Sequence, residues 1–136
     1  MRTKIIQNDR MTVSCDVMNG WTVLRVEGDV DVHTSPMIRE AVIKLLDEGR
    51  RHFILDLRLT PFLDSRGLGM IVAITKRIRD HEGSLRITCA GERILKVFKI
   101  SGLRAAYEVY DSPEAASRRA PSSSGLEHWP RSKEAD

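Results

Sequence analysis

Residues 53–80 hold two patterns back to back, and together they limit the folds open to this chain. Phe53-Ile54-Leu55-Asp56-Leu57 is a short, mostly apolar run, the pattern of a strand in a sheet covered on at least one face. After Thr60-Pro61 come Phe62-Leu63-Asp64-Ser65-Arg66-Gly67-Leu68-Gly69-Met70, and then Leu68, Ile71, Val72, Thr75 and Ile78 recur at helical spacing. A strand feeding a helix through a short loop calls for a fold in which helices pack on a sheet. Asp64 or Ser65 suits the helix N-terminus, because their oxygens accept the unpaired amides of a first turn. Gly67 and Gly69 are poor helix formers and need another reason, such as close approach of a second backbone. The result is one hydroxyl, Ser65, at a helix start beside a carboxylate, with little side-chain bulk just after it.

The remaining elements are read in the same way. Residues 1–11 lack strong periodicity and read as an N-terminal extension. Thr12–Val17 and Trp21–Glu27 read as strands joined by a tight turn at Asn19-Gly20. Arg25, at an alternating position, suggests an edge or a partly exposed face. Gly28 ends the strand, and Asp29 and Asp31 lie in a polar loop. Ser35-Pro36 starts a helix whose stripe is Met37, Ile38, Ala41, Val42, Leu45 and Leu46, ending near Gly49. The helix from about Ser65 to Asp80 closes with Lys76, Arg77 and Arg79, cations that complement its dipole. Leu85, Ile87 and Cys89 alternate as a strand, and Ile94, Leu95, Val97 and Phe98 give a third helix. Tyr107 and Val109 suggest a last strand. Ser112-Pro113 opens a poor helix with only Ala115 and Ala116 as apolar residues before Pro121. The expectation is one α/β domain, β-β-α-β-α-β-α-β-α, over residues 12–117. Residues 118–136 read as a disordered tail, and 113–136 as dispensable for folding.

Composition narrows the function. The formal charge of +3 is mostly N-terminal, where Arg2, Lys4 and Arg10 face only Asp9, and no basic stripe with aromatics appears. Direct nucleic-acid binding is therefore not expected. No apolar run approaches a membrane span, and no signal-like segment opens the chain, so a cytoplasmic protein without a membrane partner is expected. Cys15 and Cys89 fit no metal or redox spacing and read as buried free thiols. His33, His52, His81 and His128 are scattered, with no metal-ligand spacing. No positioned base accompanies Ser65, and Gly67-Leu68-Gly69 lacks the lysine of a phosphate-binding loop. Neither enzymatic activity nor a cofactor or metal is expected.

Asp64-Ser65-Arg66-Gly67-Leu68-Gly69 resembles the Asp-Ser-x-Gly-Leu-Gly phosphorylation loop of bacterial anti-sigma factor antagonists, whose fold is the STAS domain. Upstream, Gly28-Asp29-Val30-Asp31 and the Ser35-Pro36 helix start are similar to the family's Gly-Glu-Leu-Asp segment and its adjoining helix start. The resemblance implies a STAS-like mixed sheet of about five strands with helices packed on it. It implies that Ser65 is phosphorylated by an anti-sigma factor serine kinase with a histidine-kinase-like ATPase fold. The unphosphorylated form would bind that kinase and release a sigma factor, and a PP2C-type phosphatase would reset the switch. Partner contacts would fall on Asp29, Asp31, Asp64, Arg66, Gly67 and Gly69. Arg66 stands where the family often has Ser or Thr, leaving one candidate hydroxyl. Each residue also has a plainer reading: Ser65 or Asp64 as a helix cap, Asp29 and Asp31 as loop solvation and capping, the glycines as loop geometry. The alternative role is a STAS scaffold in a larger signalling or transport assembly, with Ser65 never modified.

Overall fold

The computed structural model describes residues 2–121. The expected elements form: β2 (Met11–Met18), β3 (Trp21–Gly28), α1 (Ser35–Asp47), β4 (His52–Leu59), α2 (Ser65–Asp80), β5 (Ser84–Thr88), α3 (Glu92–Ile100), β6 (Val109–Tyr110) and α4 (Pro113–Ser117). One more strand, β1 (Thr3–Gln7), precedes them. The sheet runs β1-β2-β3-β4-β5-β6, antiparallel from β1 to β3 and parallel from β3 to β6. Asn19 (φ 51°) and Gly20 (φ 85°) both adopt positive φ, the conformation a two-residue hairpin turn needs to match strand twist.

Leu24, Val26, Leu55 and Leu57 point to one face of the sheet. There they share a core with Ile38 and Val42 of α1, Ile71, Ile74 and Ile78 of α2, and Ile94 and Phe98 of α3. The other face carries Trp21, Val23 and Ile54, with Ala116 of α4 packed on them.

Three local readings change. Residues 1–11, read as an extension, include β1, which pairs with β2 through a register shift between Lys4 and Ile6. Only Ile6 of β1 packs against the core, so this edge strand carries no alternating signature. Of the two readings of Arg25 the edge fails, because β3 lies inside the sheet, and the partly exposed face holds: Arg25 is half-buried and shares the second face with the buried carboxylate of Asp56, 3.7 Å away. Burial pushes the Asp56 carboxyl up. Bonds from Arg58 Nε and Nη2 (both 2.9 Å) and Thr88 Oγ1 (2.9 Å) outweigh that and hold it below its ordinary value.

The third change concerns residues 113–136, expected to be dispensable. Pro113, Ala116 and Ser117 are buried. Arg86, only 3 % exposed, donates from Nη1 to the carbonyls of Ala116 (2.8 Å) and Arg119 (2.9 Å), and from Nε to Glu108 (3.1 Å). Its guanidinium lies 4.3 Å from the Trp21 ring centroid, and Trp21 Nε1 donates to the same Arg119 carbonyl (3.2 Å). α4 is thus a latch over a buried cation. The rest of the expected tail, residues 122–136, lies outside the described residues.

Candidate functional site

Parallel strands β3 and β4 end at the same edge of the sheet, so the loops that leave them meet there. The Val30 amide donates to Phe62 O (2.9 Å), and the Asp64 amide donates to Val30 O (3.2 Å). Val30 and Leu63 form a parallel bridge, with both side chains buried. The loop holding Asp29 and Asp31 and the loop holding Ser65 are one backbone-bonded unit.

Gly67 explains how α2 starts so close to that unit. A Cβ built there would lie 2.6 Å from both Val30 O and Leu63 Cδ1. The close approach expected from sequence is real at Gly67, and the second backbone is the chain's own. Gly69 is exposed, with nothing within 4 Å of a Cβ built on it. Gly67→Ala is therefore expected to destabilise by about 1–3 kcal/mol through overpacking. Gly69→Ala is expected to stabilise by up to about 1 kcal/mol through helix propensity. Urea denaturation of the two variants checks the opposite signs.

Asp64 is the N-cap of α2: its backbone is extended and its Oδ1 accepts from the Gly67 amide at 2.9 Å. Ser65 is the first helical residue and is exposed, and its hydroxyl makes no hydrogen bond with any described residue. Helix geometry leaves the amides of Ser65 and Arg66 without carbonyl partners in α2, and neither bonds to another described residue. Arg66 is exposed beside them.

Asp31 organises the partner loop. Its Oδ1 accepts from the His33 amide (2.8 Å) and the Thr34 amide (3.1 Å). The Thr34 hydroxyl donates to Asp29 O (2.7 Å) and accepts from the Asp31 amide (3.0 Å). These bonds, the His33 amide foremost, hold the Asp31 carboxyl below its usual range. The Asp29 carboxylate is exposed and makes no hydrogen bond or ion pair among the described residues. The two aspartates therefore divide: Asp31 builds the loop and Asp29 presents a free charge. Asp31→Ala is expected to lower the thermal midpoint by several degrees at neutral pH, and Asp29→Ala to leave it unchanged. The Asp31 contribution is present above the ordinary carboxylate pKa and fades as pH falls through its depressed value. Thermal melts at pH 7 and pH 3 should therefore show the Asp31→Ala gap closing in acid.

Sequence reasoning missed two residues here. Val32 and Phe62, on the two joined loops, are 48 % and 44 % exposed. Leu63 takes the inward position, so its neighbour Phe62 is left outside. Only the paired geometry of the loops distinguishes the two. No group of three His, Cys, Asp or Glu able to hold a metal ion occurs among the described residues, and no described helix is long and apolar enough to cross a membrane.

The STAS domain family model matches residues 12–116. Anti-sigma-B factor antagonist of Bacillus subtilis is 31 % identical over 100 residues, covering 69 % of this chain and 87 % of that protein. The chain belongs to the STAS-domain family of anti-sigma factor antagonists. Anti-sigma-B factor antagonist of Staphylococcus aureus is 30 % identical over 91 residues, 67 % of this chain and 84 % of its own. The fold matches an anti-sigma factor antagonist from Mycobacterium paratuberculosis (TM-score 0.71, 21 % identity), covering 82 % of this chain and 95 % of that one. It also matches the anti-sigma factor antagonist SpoIIAA in its unphosphorylated form (TM-score 0.66, 23 % identity), covering 78 % of this chain and 94 % of that one. The proteins it matches are named as antagonists of anti-sigma factors. The sheet has one strand more than the five expected, and that strand is β1.

Proposed function

We propose that this anti-sigma factor antagonist is a phosphorylation switch with Ser65 as phosphoacceptor and an anti-sigma factor serine kinase as partner. Unphosphorylated, it binds the kinase and a sigma factor is released; phosphorylated, it lets go, and a PP2C-type phosphatase resets it. The observation that carries this reading is the state of Ser65, an exposed hydroxyl on the first turn of α2 that, like the two amides beside it, has no hydrogen-bond partner among the described residues. A phosphate there brings about −1.5 to −2 charges at pH 7, and a helix N-terminus accommodates them locally. The fold has no need to rearrange. The bound interface does not tolerate the charge so well. Asp29 already supplies an uncompensated carboxylate to this surface, and Val32 and Phe62 make part of it apolar. Asp29, Asp31, Asp64, Arg66, Gly67 and Gly69 divide between shaping the surface and meeting the partner. Asp31, Asp64 and Gly67 shape it, while Asp29, Arg66 and the open face at Gly69 meet the kinase. Incubation with kinase and ATP, followed by peptide mass spectrometry, is expected to place phosphate on Ser65 and to find none on Ser65→Ala. Wild-type labelling of Ser65→Ala would end the assignment.

A further inference from the structure

α3 carries a surface that the serine loop does not explain. Its inward side is closed by Ile94 and Phe98, and Phe98 meets Tyr107 edge-on with ring centroids 5.9 Å apart. Its outward side is open. Glu92, Leu95, Lys96, Lys99, Ile100 and Arg104 line a groove of about 780 Å³ between α3 and the short turn after it. Ile100 is 75 % exposed, more than any other large apolar side chain among the described residues. Lys96, Lys99 and Arg104 make no ion pair with a described residue, whereas Arg25, Arg58 and Arg86 all face carboxylates. Glu92 is the one carboxylate among the described residues that line the groove. The surface therefore combines an unsatisfied aliphatic knob with a net positive rim, and its complement is acidic with an apolar side chain.

Position and size identify the occupant. β4 and β5 are parallel neighbours, so the serine loop and the turn into α3 leave the same edge of the sheet. A stable protein interface takes about 20–30 residues a side, of which the two joined loops supply only about a third. A protein seated on Ser65 must spread over neighbouring elements, and α3 begins at the same end of the sheet. A membrane fits the surface poorly. A helix that lies on lipid turns its apolar face outward, and the apolar face of α3 is inside, with Ile100 alone protruding.

We propose that the α3 groove is a second contact for the anti-sigma factor, receiving an acidic segment of that protein with an apolar side chain against Ile100. This rests on the reading of Ser65 as the centre of the interface. The groove supplies charge attraction and anchoring that phosphate on Ser65 does not touch, so affinity there is salt-dependent in both states of the switch.

The test uses the full chain and its anti-sigma factor in calorimetric titrations at low and high salt. The variants are Lys96→Glu with Lys99→Glu, and Ile100→Ser. All three residues are exposed, and thermal melts confirm folding. At low salt the double charge reversal is expected to weaken binding at least about tenfold, and Ile100→Ser several-fold. The charge effect should shrink at high salt. Variants that bind like wild type overturn the groove whether or not Ser65 is phosphorylated. Conversely, weakened binding by the variants supports it even if mass spectrometry finds Ser65 unlabelled. Vesicles of phosphatidylglycerol and phosphatidylcholine are the control: loss of vesicle binding in the variants with unchanged anti-sigma affinity assigns the patch to lipid and overturns the proposal.

Discussion

Ending the chain after Ser112 is expected to cost about 3–5 kcal/mol, because it strips the partners from a buried cation. Arg86 then loses the carbonyls of Ala116 and Arg119, and Trp21 Nε1 loses the same Arg119 carbonyl. Trp21, Val23 and Ile54 lose their cover on the second face of the sheet. Glu108 remains, but a single bond at 3.1 Å leaves most of the guanidinium without acceptors. Domains of this size have about 5–15 kcal/mol in total, so the loss is a large fraction. The thermal midpoint is expected to fall by roughly 10–20 °C. Ending the chain after Pro121 retains every one of these contacts and is the matched control. Arg86→Met with α4 intact separates the two contributions: it removes the buried charge but keeps the cover, and so is expected to be milder than the truncation. An unchanged midpoint on truncation at Ser112 would mean that the latch carries no stability.

The second large effect is electrostatic and falls on binding. Ser65→Ala is expected to keep wild-type affinity for the anti-sigma factor and to refuse phosphate. Ser65→Glu is expected to bind at least about tenfold more weakly, although a carboxylate is a poor copy of a dianion. Two like charges ~4 Å apart repel by ~1 kcal/mol in water and by ~4 kcal/mol in a partly dry interface. The exposed Val32 and Phe62 favour the drier case, since any partner covering them excludes water near Ser65. A loss of ~2.8 kcal/mol is about a hundredfold in affinity. Arg66 works in the other direction, because its guanidinium can pair with the phosphate. Arg66→Ala is thus expected to widen the gap between the two forms. Affinity titrations of the two Ser65 variants, and of wild type and Arg66→Ala each with and without phosphate, check this order.

Periodicity and turn chemistry made much of the fold legible in the sequence. The apolar run of β4 and the helical stripes of α1 and α2 each serve one covered face of the sheet, so their patterns were clear. The Asn19-Gly20 turn was clear because few residue pairs tolerate positive φ at both positions. Gly67 was flagged by its misfit to a helix, and Asp64 by its aptness as a cap. β1 was not legible, because an edge strand with one partly buried residue has no face to pattern. The start of α4 at Ser112-Pro113 was legible, but its docking on the sheet was not, for a different reason. It is held by its backbone carbonyls on Arg86 and by small side chains against Trp21, and neither leaves a hydrophobic stripe. Within the site, sequence pointed to Asp29 and Asp31 equally. Their separation into a free charge and a loop-building acceptor depends on which amides lie within 3.1 Å of Asp31 Oδ1.

The most direct test compares one protein in two states. Unphosphorylated chain and chain fully phosphorylated on Ser65, verified by intact mass, are titrated with the same anti-sigma factor under the same conditions. Phosphorylation is expected to raise Kd at least about a hundredfold, with the thermal midpoint of the free protein nearly unchanged. Equal Kd values for the two forms would contradict the switch.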